Sequence, residues 1–242
     1  MTLKLPTQTV PASTSNPRLL MMYSTPKAGK TTILAGLKNC LLVDLERGAD
    51  FVDAMKVDGS DLEKLRAIIE ALNKGHKYDY IALDPITRLE DIVLPKARAM
   101  YRASPQGKSF PANGHILHLP QGAGYFWLRQ AFEEVISAFK NVAPTLILSG
   151  HLREKMLEKG GKEVTHQEID LTGKLRSIMS AHADAIGLLY RRDNQGILSF
   201  VRKGEEVISG ARPLHLRDKE IIISDLNDDG SVTTHWDRVF LP

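Results

Sequence analysis

Cysteine is nearly absent: Cys40 stands alone in 242 residues. A lone thiol excludes an internal disulfide framework and accords with a reducing compartment. It heads an apolar run, where a buried structural thiol is expected. Long apolar stretches are missing as well, since none approaches the ~20 residues of a membrane-spanning helix. The first residues also lack the basic-then-apolar layout of a secretory signal. A soluble, cytoplasmic protein with no membrane partner is the expectation. Charge of either sign is barely in excess, with 32 basic against 29 acidic residues and a net +3. Any surface for a polyanion therefore has to be local. No internal repeat occurs, and no low-complexity tract lies beyond the first 18 residues. The remainder is ordinary for a globular chain, 43% hydrophobic and 25% charged, and long enough for one substantial core.

The most informative stretch is Leu19 to Thr32. A short apolar run, Leu19–Tyr23, is long enough for one buried strand. A turn with Pro26 and Gly29 follows, and Thr31 to Leu37 reads as a helix. Inside lies Ser24-x4-Gly29-Lys30-Thr31, the phosphate-loop pattern with serine in place of its first glycine. The residue types suit the chemistry. A turn wrapped around a polyphosphate points successive backbone N–H groups inward, and the helix start adds positive potential. The nucleotide-binding loop is thus Ser24, Thr25, Pro26, Lys27, Ala28, Gly29, Lys30, Thr31 and Thr32. Gly29 permits close backbone approach, Lys30 reaches the phosphates, and the Thr31 hydroxyl ligates Mg2+. ATP and Mg2+ are the expected cofactors. Ser24 loses the conformational ease of glycine but leaves Lys30 and Thr31 in place, so binding is expected to survive.

Further strands follow at Cys40–Asp44, Tyr78–Asp84 and Thr145–Ser149, separated by helical patterns. Ser60 and Glu63 form a capping box before an apolar face at Leu62, Leu65, Ile68, Ile69 and Leu72. Helices are predicted over Thr87 to Arg102, Tyr125 to Lys140 and Leu171 to His182. Short strands near Ala185–Tyr190, Ile197–Arg202 and Glu220–Ser224 close the chain. The alternation predicts an α/β fold with a mainly parallel sheet flanked by helices and a strand-rich C-terminal extension. Residues 1–17 read as an extended arm, and residues 18–242 as one domain. The long stretch Ser104 to Gly124, with Phe110, His115 and His118, reads as a functional loop. Its two histidines lack a third ligand, which argues against metal there.

Asp84 ends an apolar strand downstream of the phosphate loop, where a carboxylate holds Mg2+ or its water. Glu46 follows the second strand. It is either the group that positions or deprotonates the attacking water or a solvated turn charge beside Arg47. His151 ends the fourth strand and is either a γ-phosphate sensor or an exposed strand-end histidine.

Taken together, Tyr23–Thr32, Leu41–Gly48, Tyr80–Thr87, Thr145–His151, Leu171–Arg176 and Ser209–Leu216 resemble the RecA-type core ATPases, more narrowly the phage-encoded group that includes single-strand annealing recombinases. The resemblance runs from about Arg18 to Ser224. It implies a RecA-like ATPase with Glu46 as catalytic glutamate, Asp84 as metal-site aspartate and His151 as sensor beside Lys30. It further implies a homo-oligomer, ring or filament, that hydrolyses ATP at subunit interfaces and binds single-stranded DNA, with a single-stranded DNA-binding protein as a further partner. The host cytoplasm would be its location. Leu152 to Asp170 then corresponds to a DNA-contacting loop, although Glu154, Glu158, Glu163 and Glu168 offset its basic residues. Phe110 and Tyr125–Trp127 offer aromatic surfaces to bases, or else helix core. Lys203 and Arg212 are candidates for a basic finger reaching a neighbour's site. Two other readings use the same loop: a phosphotransferase acting on a small molecule, and a non-hydrolysing nucleotide-dependent scaffold or loader.

Overall fold

The computed structural model describes residues 5–12, 14–159, 162–202 and 207–242. In chain order the elements are β1 (Leu19–Ser24), α1 (Lys30–Ala35), β2 (Cys40–Asp44), β3 (Lys56–Asp58), α2 (Leu62–Asn73) and β4 (Tyr80–Asp84). Next come α3 (Ile86–Ile92), α4 (Leu94–Ala103), α5 (Ala123–Val142), β5 (Thr145–Lys159), β6 (Lys162–Ile169) and α6 (Lys174–His182). The chain closes with β7 (Ala185–Arg192), β8 (Gln195–Ser199), β9 (Gly210–Ala211), β10 (Glu220–Leu226) and β11 (Val232–Thr234).

The main sheet has the order β11-β10-β8-β7-β1-β5-β4-β2-β3. From β7 to β3 every pairing is parallel, while β8, β10 and β11 add antiparallel strands at one end. The expected α/β class holds, including the strand-rich tail. β1 lies at the centre, and all six of its residues are buried. Successive side chains point to opposite faces. Leu19, Met21 and Tyr23 therefore join the core under α2 to α6, and Leu20 and Met22 join a second core with Ile33 and Leu34 of α1. The C-terminal residues Trp236, Val239 and Phe240 complete that second core, with the Trp236 indole N–H donating to Ile33 O at 2.8 Å. Cys40 is buried as expected, and desolvation pushes its thiol up to about 12. Among the described residues no helix is long and apolar enough to cross a membrane.

Several expectations change. The cap of α2 is Asp61, whose side chain accepts from the Lys64 N–H, rather than Ser60. The helix predicted over Thr87 to Arg102 divides at Val93 into α3 and α4. Pro95 has no N–H to donate to the preceding turn, which accounts for the division. The stretch Ser104 to Gly122 contains short 3₁₀ turns at Pro105–Gly107, Ile116–His118 and Pro120–Gly122, and Ala123 and Gly124 already open α5. Phe110 sets its edge against Tyr101, with centroids 5.2 Å apart, and Tyr101 lies 5.8 Å from Trp127. Phe110 and Trp127 are thus packed, leaving Tyr125 and Phe126 as the exposed members of this group. His115 and His118 stack on each other, and no metal-binding cluster of three or more His, Cys, Asp or Glu occurs among the described residues.

The largest difference lies at Leu152 to Asp170. β5 does not stop at Ser149. It leaves the sheet and pairs antiparallel with β6, from Leu152 beside Ile169 to Lys159 beside Lys162. Gly150 sits at the departure, where a Cβ would come within 2.5 Å of the Ile169 side chain. The expected loop is a two-stranded arm. Its charged residues concealed the alternation because much of the arm stands clear of the core. In the sequence, the Gly160-Gly161 dipeptide is the available hairpin signal, and both residues lie outside the described ones. Arg153 approaches Asp170 at 3.9 Å, and Lys155 approaches buried Glu168 at 3.7 Å. Glu168 also takes contacts from Arg176 and from His166.

Of the predicted N-terminal arm, residues 5–12 carry neither helix nor strand and are exposed. The Asn16 side chain donates to Leu241 O at 2.7 Å and accepts the Leu241 N–H at 2.9 Å.

Candidate active site

Parallel register gathers the strand ends. Ser24 aligns with His151, Asp44 with Asp84, and Leu83 with Leu148. The last pairing puts Asp84 beside Ser149. Four strands thus deliver Ser24, Asp44, Asp84, Ser149 and His151 to one sheet edge. Binding at the carboxyl ends of parallel strands is the general habit of open α/β sheets.

The phosphate loop leaves β1 at this edge. Thr25, Pro26 and Lys27 are exposed, Ala28 is buried, and Lys30, Thr31 and Thr32 form the first turn of α1. Lys27 and Gly29 adopt left-handed conformations, with φ of 63° and 97°. Gly29 therefore meets a conformational need. Ser24 is not among the left-handed residues, so its backbone does not require glycine. Its hydroxyl donates to Thr25 O at 2.9 Å and accepts from Lys30 Nζ at 3.1 Å. Lys30 also lies 3.4 Å from Thr25 O. Burial lowers the Lys30 pKa, and Asp84 and Glu46 partly offset that effect through their negative charge.

Asp84 is buried and engaged on both oxygens. Thr31 Oγ1 donates to Oδ2 at 2.6 Å, and the Ser149 hydroxyl donates to Oδ1. A hydroxyl and a carboxylate side by side form a hard-oxygen pair suited to Mg2+, which typically takes few protein ligands and completes its shell with phosphate and water. The residues present fit that ion.

Glu46 is held from behind by Asp44, a residue the sequence reading passed over. Asp44 Oδ1 accepts the Glu46 and Gly48 N–H groups at 3.1 Å each, and Oδ2 accepts the Ala49 N–H at 2.8 Å. This leaves the Glu46 side chain exposed at the edge, with Oε2 at 3.7 Å from His151 Nε2. The contact is an ion pair when the imidazole is protonated. His151 Nδ1 is buried without a hydrogen-bond partner. Removing the Asp44 carboxylate leaves three N–H groups to find other acceptors. Asp44→Ala is therefore expected to cost about 2–3 kcal/mol of stability, read as a lowered midpoint in urea unfolding. It is also expected to reduce any turnover that depends on Glu46.

The structure therefore brings Lys30, Thr31, Asp84, Glu46 and His151 together. Arg212 lies elsewhere, tied to Asp184 at 3.0 Å and to Ala181 O at 3.0 Å. Asp184 also accepts the Arg18 and Leu19 N–H groups at the start of β1, so Arg212 sits at the opposite sheet edge. Lys203 is outside the described residues. Sequence reading missed Asp44, Ser149 and Arg191, the last of which approaches Gly29. The strand-end positions of Asp44 and Ser149 were the available signal; nothing local marked Arg191.

The AAA domain family matches residues 16–212. The chain belongs to that family. As an AAA domain it is a P-loop protein, a class whose activity is nucleotide-dependent. Among solved structures it is similar to the RadB recombinase, with a TM-score of 0.45 at 15% identity over 91% of this chain and 92% of that one. It is also similar to a KaiC-like protein from the hyperthermophilic archaeon Pyrococcus horikoshii OT3, with a TM-score of 0.45 at 14% identity over 90% and 89% of the two chains. No curated protein matches the chain.

Proposed function

We propose that this AAA domain is a Mg2+-dependent ATPase that assembles with copies of itself on single-stranded DNA, in phage-type recombination or strand annealing. The observation that carries the nucleotide part is the convergence of Lys30, Thr31, Asp84 and Glu46 on one sheet edge. Thr31 and Asp84 would hold Mg2+, which would supply positive charge to offset that of the phosphates. Lys30 would neutralise charge on the phosphates from its buried position at the start of α1. Glu46, exposed at the mouth, would orient the attacking water and accept its proton. His151, between Glu46 and the arm, would register the γ-phosphate.

The DNA part rests on the arm. β5 continues without interruption from Ser149 and His151 into the two-stranded arm, so a shift at the phosphate edge has a direct route to it. Exposed Met156 on the arm and exposed Tyr125 and Phe126 at the start of α5 offer apolar surface for bases. A fluorescent single-stranded oligonucleotide titrated with protein tests this reading. Tight anisotropy binding with ATP and Mg2+, weakened by their removal and accompanied by larger species in light scattering, is expected. Equal and negligible binding with and without nucleotide would remove DNA from the proposal. No separate observation favours a small-molecule acceptor.

A further inference from the structure

Arg191 is placed by the alternation that builds the sheet. Along β7, Ala185 and Leu189 join the core that holds Ile33 and Leu34 of α1, whereas Ile186 and Leu188 pack against the other face. A period of two therefore puts Arg191 on the α1 face. β7 pairs with β1 only as far as Leu188 beside Tyr23, so Arg191 stands past the end of that pairing, where β1 gives way to the phosphate loop. Its partner on β8 is Gly196, which presents no side chain. The outcome is a guanidinium Nη2 that lies 3.7 Å from where a Cβ on Gly29 would be.

Its neighbour behaves differently. Arg192 donates to the Tyr190 hydroxyl at 2.9 Å and to Glu220 at 2.8 Å. Among the described residues Arg191 makes no such hydrogen bond or ion pair. A guanidinium presents a planar fork of donors matched to phosphate oxygens. Here that fork is exposed, faces the loop glycine and is not committed to a protein carboxylate.

We infer that Arg191 binds the phosphate chain of a nucleotide held in the same protomer, from the mouth of the loop, while Lys30 acts from its buried side. This rests on the nucleotide-binding reading above. It assigns the subunit its own arginine contact, distinct from any basic residue a neighbour supplies.

The test is equilibrium binding by the full chain of two probes, ATP and inorganic tripolyphosphate, which lacks base and ribose. Arg191→Ala is expected to weaken both by about ten- to a hundredfold, the loss of a charge-assisted contact. Arg191→Lys should recover part of the loss, and Arg192→Ala should match wild type. Because Arg191 is exposed, melting temperatures should coincide and report intact folding. Unchanged ATP affinity in Arg191→Ala, alongside loss of binding in Lys30→Ala, would overturn the inference and leave the nucleotide reading standing. Weakened ATP binding with tripolyphosphate binding intact would place Arg191 on the base or ribose and overturn the phosphate assignment. A wild-type chain that binds neither probe would end both.

Discussion

Glu46→Gln is expected to lose ATP hydrolysis by about a hundred- to ten-thousandfold while still binding ATP. The amide keeps the size and polarity of the side chain but cannot accept the proton of an attacking water. Lys30, Thr31 and Asp84 are untouched, so affinity should change little. Stability should also hold, because the Glu46 side chain is exposed and its backbone N–H remains with Asp44. The alternative, a solvated turn charge, predicts normal turnover in the same variant. Single-turnover phosphate release separates the two. The 3.7 Å approach of His151 makes His151→Gln a useful companion: a sensor variant should keep some hydrolysis yet weaken its dependence on DNA.

Lys30→Met should remove nucleotide binding and, without nucleotide, leave the protein at least as stable as wild type. Lys30 is buried, and its nearest polar contacts are a hydroxyl and a carbonyl. Burial is the largest influence on its pKa and lowers it. The folded state therefore holds this proton less tightly than the unfolded state. Below the lowered pKa the lysine is charged in both states, and folding carries the full desolvation cost. As pH rises from the lowered value towards the ordinary 10.5, that cost is relieved. The stability advantage of Lys30→Met should thus be largest near neutral pH and shrink in alkaline buffer. ATP at a hundredfold excess over its Kd should stabilise wild type by about 2.7 kcal/mol and leave the variant unmoved. A variant that melts well below wild type without nucleotide would show that Lys30 contributes structurally.

What the sequence disclosed and what it hid follow from range. The phosphate loop was legible because its chemistry is local, with strand, turn, Gly29, Lys30 and Thr31 contiguous. Asp84 and His151 were legible as polar residues closing apolar runs and Glu46 as the acid just past one, and the parallel register brings their strands together. Asp44 was overlooked although it ends β2, because its task is to hold the backbone around Glu46, and backbone acceptors leave no motif. Arg191 was invisible for a different reason. Its approach to Gly29 depends on where β7 lies beside β1, a pairing between distant parts of the chain. The arm at β5 and β6 was misread because its charges suggested a loop, and helical periodicity carried the reading through Pro95. The candidate finger Arg212 pairs within its own chain with Asp184.

The most direct test is steady-state phosphate release from Mg2+-ATP, with and without single-stranded DNA, by wild type and Glu46→Gln. Turnover that rises with DNA in wild type and is lost in Glu46→Gln, with ATP binding retained, is the predicted result. Turnover in Glu46→Gln equal to wild type would contradict the role given to Glu46. Wild-type turnover indifferent to DNA would contradict the claim that this site drives a DNA-bound assembly.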